Sequence, residues 1–190
     1  MDEKRYNGVE ELRQLTYKDE ETFNVYIQEW YDNNEKVVPG NTNLKEYQSF
    51  KDMVDYLNQE RPSKDWVPTT TLFYFVDGNI VGAVDIRHEL NHRLRNIGGH
   101  IGYGVARSYR GKGYASTLLG QALDYLKIRN VETILMTTNP FNYASQNVIK
   151  KYGGYEIEPY IKKNGKVVNR IQILNKKKSP FKRRVIVVKS

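Results

Sequence analysis

Apolar positions recur at helical spacing twice in the first third of the chain. Phe23, Ile27, Trp30 and Tyr31 share one face of a helix predicted over 20–33. Leu44, Tyr47, Phe50, Val54 and Leu57 mark a second over 44–60, stopped before Pro62. A short run at 9–16 reads as an opening strand. Strand-like runs then take over: 70–76 and 80–87 flank Asp77-Gly78-Asn79, which is a hairpin signal. A strand over 100–106 is followed by a helix over 113–129 that turns Leu118, Leu119, Ala122, Leu123 and Leu126 inward. A strand over 133–138 and a helix over 142–152 come next. Strands over 155–161 and 166–174 then flank Asn164-Gly165, a type I′ hairpin signal. Strand, helix, strand, helix between two hairpins predicts an α/β (α+β) fold, a mixed and mostly antiparallel sheet flanked by helices. No repeat or low-complexity linker divides the 190 residues, so a single domain over 1–190 is expected.

Composition removes several chemistries. There is no cysteine, hence no disulfide framework, thiolate zinc site, iron–sulfur cluster or cysteine-borne acyl group. No window approaches the roughly 18 uninterrupted apolar residues of a membrane helix. The first twenty residues lack the apolar core of a secretory signal, so the expectation is a cytoplasmic chain that begins near Met1. The net charge of +8 is uneven. Residues 1–60 carry 7 basic and 14 acidic side chains, 61–175 carry 16 and 8, and 176–190 carry 7 and none. The basic tail, Lys176 to Arg184, is read as a solvated, lysine-guarded approach to a strand at 185–188 rather than as a nucleic-acid footprint. The positive middle segment suggests a polyanionic ligand.

That segment holds Arg110-Gly111-Lys112-Gly113-Tyr114-Ala115, placed between a predicted strand and the start of a predicted helix. Free N–H groups and the positive end of a helix make such a turn an anion cradle, and glycines let the backbone approach a phosphate. A P-loop is excluded, because Gly111-Lys112 is followed by Gly113 and not by Ser or Thr, and Gly104 stands at the wrong distance. A dinucleotide fingerprint is excluded too. Its acidic residue belongs at the end of the next strand, whereas Glu132 precedes that strand.

Arg110, Gly113 and Ala115 form R-x-x-G-x-A, which resembles the pyrophosphate loop of the GNAT superfamily of acetyl-CoA-dependent N-acetyltransferases. Asn142-x-x-Ser145 at the start of the next helix, closed by Gly153-Gly154, resembles that family's second cofactor contact. The likeness covers about 72–161. It implies that the strand over 100–106 splays from the one over 133–138, and that pantetheine binds there through Gly104, Val105 and Ala106. It implies that acetyl-CoA lays its diphosphate on Arg110, Gly111, Lys112, Gly113, Tyr114 and Ala115, with Asn142 and Ser145 beside it. By the same resemblance, 1–70 supplies helices and the acceptor side, 71–161 the cofactor core and 162–190 a closing hairpin strand and tail.

The family's direct attack needs a neutral amine, an oxyanion donor, for which the Val105 N–H is expected, and a proton for the departing thiolate. Base candidates are Glu89, His88 and His100; strand alternation turns His100 away from the face of Val105. The family's frequent tyrosine acid falls on Ile149, which has no proton to give. Tyr152, one helical turn on, either reaches the same space or packs as a core residue. The acceptor is an amine, small or on a protein, and the −7 balance of 1–60 suits a cationic one.

Two rival readings use other residues. His88-Glu89-Leu90-Asn91-His92 spells H-E-x-x-H, which on a helix would place two zinc ligands one turn apart, with His100 as a third. A strand running into His88 and the helix-ending Asn96-Ile97-Gly98-Gly99 oppose it, so no metal is expected. A non-catalytic acyl-CoA-binding module with a nucleic-acid-binding tail is the other. Edge strands of the terminal hairpins are the surfaces a homodimer would pair.

Overall fold

The computed structural model describes residues 9–59, 66–175 and 187–188. The basic run at 176–184, with Val185 and Ile186, lies outside the described residues. In chain order the elements are β1 (Glu10–Arg13), α1 (Glu20–Asp32), α2 (Phe50–Leu57), β2 (Thr69–Val76), β3 (Asn79–Arg87) and α3 (His92–Asn96). Then follow β4 (Ile101–Val105), α4 (Tyr114–Ile128), β5 (Thr133–Thr138), α5 (Tyr143–Lys151), β6 (Tyr155–Ile161), β7 (Val167–Leu174) and β8 (Val187–Val188).

Two sheets result. One has the order β4-β3-β2-β1-β8, antiparallel except for the parallel β1–β8 pair. The other is the antiparallel β5-β7-β6. The mixed, mostly antiparallel α/β architecture is therefore the one the pattern predicts. The faces of β2 and β3 are both buried, which alternation explains. Leu72, Tyr74, Val84 and Ile86 pack against Leu118, Leu119 and Leu126 of α4. Phe73, Phe75 and Ala83 turn the other way, against Phe23, Tyr26 and Trp30 of α1 and Met53 of α2. Burying side chains of this size is worth roughly 1.5–3 kcal/mol each, so the two layers hold the sheet from both sides.

The helix predicted over 44–60 divides. Leu44–Glu46 is a 3-10 turn, Tyr47 is extended, and α2 begins only after Ser49, whose side chain accepts from the Asp52 N–H at 3.1 Å. The apolar period ran through two elements, and the serine cap sets the second start. In α1 Tyr26 is buried with Phe23, Ile27 and Trp30, while Tyr31 is only half-buried. The first hairpin has φ of 51° at Asp77 and 78° at Gly78, the signature of a type I′ turn. The last hairpin differs from its prediction. Only Gly165 has positive φ, and its N–H donates to Lys162 O at 2.8 Å, so a type I turn closed by a left-handed glycine replaces type I′.

No ladder joins β4 to β5. The sheets meet at the turn before β4, where Gly99 bridges Met136 and the Gly98 N–H donates to Thr137 Oγ1 at 2.9 Å. Beyond that seam the two strands part, and α4 and α5 flank the opening.

Candidate active site

Hydrogen bonding along β3 decides which groups of β4 face the opening. The Ala106 N–H donates to Val81 O and the Arg87 N–H to His100 O. Every second pair of an antiparallel ladder exchanges bonds, so Gly102 and Gly104 bond to β3 while Tyr103 and Val105 turn their N–H and C=O groups outward. The outward Val105 C=O is taken by Arg110 Nε at 2.9 Å.

This edge borders a cleft of about 670 Å³. Its walls include Gly104, Val105, Arg110, Gly111, Gly113, Tyr114, Ala115, Asn142 and Ser145, residues that the sequence motifs had grouped. Gly113 is the N-cap of α4 with φ of 90°, and Gly111 has φ of 76°, a region that costs other residues roughly 1–2 kcal/mol. A Cβ built on either meets nothing within 4 Å, so the space before the loop is open and suits a phosphate. Asn142 Oδ1 accepts from the Ser145 N–H at 3.1 Å, capping α5 and presenting the Ser145 hydroxyl to the cleft.

Several expected residues stand elsewhere. Ala106 is buried with the α1 cluster, and Lys112 lies beside the Tyr109 ring, outside the cleft wall. Arg110 lines the cleft, but its guanidinium is held by the Glu35 carboxylate, 3.1 Å from Nη1 and 2.5 Å from Nη2. That pairing holds Glu35 below the usual carboxylate range. Gly104 does not simply offer a bare backbone: a Cβ there would lie 2.1 Å from Val38 O, so the glycine admits the chain crossing at 38–41.

The proton-transfer candidates are scattered. His100 is buried at the seam, its N–H donating to Leu135 O at 2.7 Å and its Nδ1 accepting from the Leu135 N–H at 2.9 Å. Burial first, then the charges of Arg87 and Arg95, lower its pKa to about 4. Glu89 is exposed and does not line the cleft. His88 Nε2 is 2.9 Å from Thr70 Oγ1, at the end of β3. Asn91 caps α3, so His88 and Glu89 precede a one-turn helix that starts at His92, and the H-E-x-x-H residues do not share a helix. Among the described residues no group of three or more His, Asp or Glu could hold a metal ion.

Ile149 is fully buried beneath Gly154. Tyr152 does not reach the cleft. It is the C-cap of α5, and its phenol donates to the Ser116 carbonyl at 2.6 Å, over Gly120. Burial raises its pKa to about 12.

Sequence reasoning missed two groups. Tyr103 lines the cleft with its phenol 3.2 Å from Ser145 Oγ, and burial raises its pKa. Strand alternation set it on the face of Val105 without suggesting that the phenol meets the Asn142-x-x-Ser145 turn. Trp30, Glu35, Lys36 and Val38 close the cleft from the N-terminal segment, which carried no motif.

A splayed pair of strands with a glycine loop at a helix start is the arrangement of a coenzyme A-dependent acyltransferase. Residues 27–155 match the model of the Acetyltransferase (GNAT) family, and the chain belongs to that family. No curated protein matches it significantly. Solved structures do. A GNAT-family acetyltransferase from Streptococcus pneumoniae aligns with a TM-score of 0.61 and 21% identity, over 87% of this chain and 98% of that one. RimJ of Mycobacterium smegmatis, bound to CoA-disulfide, gives 0.65 and 20%, over 86% and 80%. Dodecameric spermidine N-acetyltransferase from Vibrio cholerae gives 0.59 and 21%, over 88% and 94%. At these identities the structures establish a shared fold, and the family match establishes an acyltransferase.

Proposed function

We propose that this protein moves the acetyl group of acetyl-CoA onto a primary amine by direct attack. The observation that carries the reading is the outward peptide edge of β4 at Tyr103 and Val105, ending at the open glycine loop. A pantetheine arm along that edge brings a thioester carbonyl to backbone N–H donors aimed where negative charge develops. The amine lone pair forms the new C–N bond, the C–S bond breaks, the ammonium proton leaves to water, and the thiolate takes a proton. With no cysteine in the chain, no acyl group passes through a protein thiol.

Tyr103 is the proton donor in this reading. Of the cleft residues Tyr103, Tyr109 and Tyr114, it is Tyr103 whose phenol meets Ser145 Oγ, at 3.2 Å; burial keeps it protonated, and Ser145 orients it. Calorimetry of the full chain with acetyl-CoA, followed by thiol release across a panel of small amines, tests the assignment. Heat with acetyl-CoA and an acetylated amine by mass spectrometry are expected; no heat with acetyl-CoA would sink it. Tyr103→Phe should lower kcat about 10²-fold with little change in acetyl-CoA affinity. Activity should recover with a thioester whose leaving thiol is strongly acidic, a rescue that a purely structural role would not give.

A further inference from the structure

Across the 38–41 crossing from the cofactor cleft is a second cavity of about 310 Å³, which no family motif touches. Its lining includes Asn41, Tyr56, Trp66, Thr71, Asp85 and Arg87. Asp85 is a charge in the middle of buried β3, only 2% exposed, on the face it shares with Ala83. Its Oδ1 accepts from Asn41 Nδ2 at 3.1 Å and from Thr71 Oγ1 at 3.2 Å, and its Oδ2 pairs with Arg87 Nη2 at 2.7 Å.

The two charges are not equally available. Arg87 Nη1 donates to Gly98 O at 3.1 Å and to Gly99 O at 3.0 Å, so its guanidinium holds the turn that forms the β4–β5 seam. A carboxylate has about four acceptor positions, and three are taken, which leaves Asp85 able to receive one more donor. Trp66 and Tyr56 add aromatic faces, which attract cations. A second anion would meet Asp85 with Arg87 already committed, and burial beside a like charge is unfavourable. The cavity is at the small end of small-molecule sites, roughly 300–1,000 Å³.

We infer that this cavity holds the amine to be acetylated, and that the acceptor is a small organic cation with its ammonium on Asp85 and its apolar part beside Trp66 and Tyr56. The inference rests on the transferase reading above and names its substrate class. Asp85 stands opposite Gly102 of β4, and Gly104 is two residues further along, about 7 Å away. An amine released from Asp85 is thus within a short step of a thioester delivered along the same strand.

Calorimetry on the full chain saturated with coenzyme A is the test. Propylamine and benzylamine serve as cationic probes, butyrate and benzyl alcohol as anionic and neutral ones. The amines should bind and the other two should not. Asp85→Asn should weaken amine binding at least about tenfold, roughly the loss of one charge-assisted contact, and leave coenzyme A binding unchanged. Because that substitution also removes the partner of Arg87, Trp66→Ala, which leaves both charges in the chain, is the second variant, with a loss of about threefold or more expected. Butyrate binding in place of the amines, or amine affinity unchanged in both folded variants, overturns the assignment. Coenzyme A binding without amine binding also overturns it and spares the transferase reading. Asp85-dependent amine binding in a chain that takes up no coenzyme A keeps the cation site but overturns the transferase reading, and with it the role of the bound amine as acetyl acceptor.

Discussion

His100 makes the stability of the protein depend on pH in a way that can be worked out beforehand. Its Nδ1 must stay unprotonated to accept the Leu135 N–H, and burial near Arg87 and Arg95 lowers its pKa from 6.5 to about 4. Above about pH 7 the ring is neutral in both folded and unfolded chains, and nothing is lost. As the pH falls through 6.5 the unfolded chain takes up a proton that the native chain refuses until about 4, so stability drops across that window and levels below it. At pH 5 the shift amounts to about 2 kcal/mol, at 1.36 kcal/mol for each unit between pH 5 and the unfolded value. His100→Asn keeps an acceptor oxygen near the position of Nδ1 but cannot titrate. Urea unfolding at pH 7.5, 6 and 5, at fixed ionic strength, should find the variant less stable by about 1–2 kcal/mol at pH 7.5 from lost ring packing. At pH 5 that gap should close or reverse. Asp85 and Asp124, whose pKa values burial raises, shift the slope the other way but are common to both proteins and cancel in the difference. Parallel pH profiles for the two proteins would refute the assignment of His100 as a neutral seam residue.

Two further substitutions separate framework from chemistry. Gly104→Ala places a Cβ 2.1 Å from Val38 O, so the 38–41 crossing must move; a loss of about 1–3 kcal/mol in urea unfolding is expected, with weakened acetyl-CoA binding. Tyr152→Phe removes the phenol that donates to the Ser116 carbonyl and should cost about 1 kcal/mol of stability, read as a lower urea midpoint, while kcat stays near that of the unsubstituted chain.

The elements with a strong period or an explicit turn were legible from residues alone. Leu118 to Leu126 fixed the buried face of α4, and Asp77-Gly78 fixed the first hairpin. The glycine loop at the cleft was legible because its glycines obey a backbone requirement that shows in spacing. What did not show was whatever depends on partners distant in sequence. Arg110 was read as a phosphate ligand and does line the cleft, but its partner Glu35 lies 75 residues earlier in a segment without a motif. Tyr152 kept the right helical phase but met Ser116 of α4, and no local rule reports that encounter. Asp85 carried a signal that went unused: a carboxylate inside an otherwise apolar strand needs a stated partner. The 44–60 helix broke because Ser49 competes as a cap, a local preference that the apolar count ignores.

The main chain at 38–41 stands as a partition between two chambers, its Val38 carbonyl filling the notch left by Gly104. On the proposed assignment of the two cavities, nucleotide and acceptor reach the same carbon through separate doors. Neither blocks the other's way in, and a finished amide can depart while the spent thiol is still seated. Such a layout imposes no sequence of arrival, and initial-rate plots against the two substrates should converge rather than run parallel.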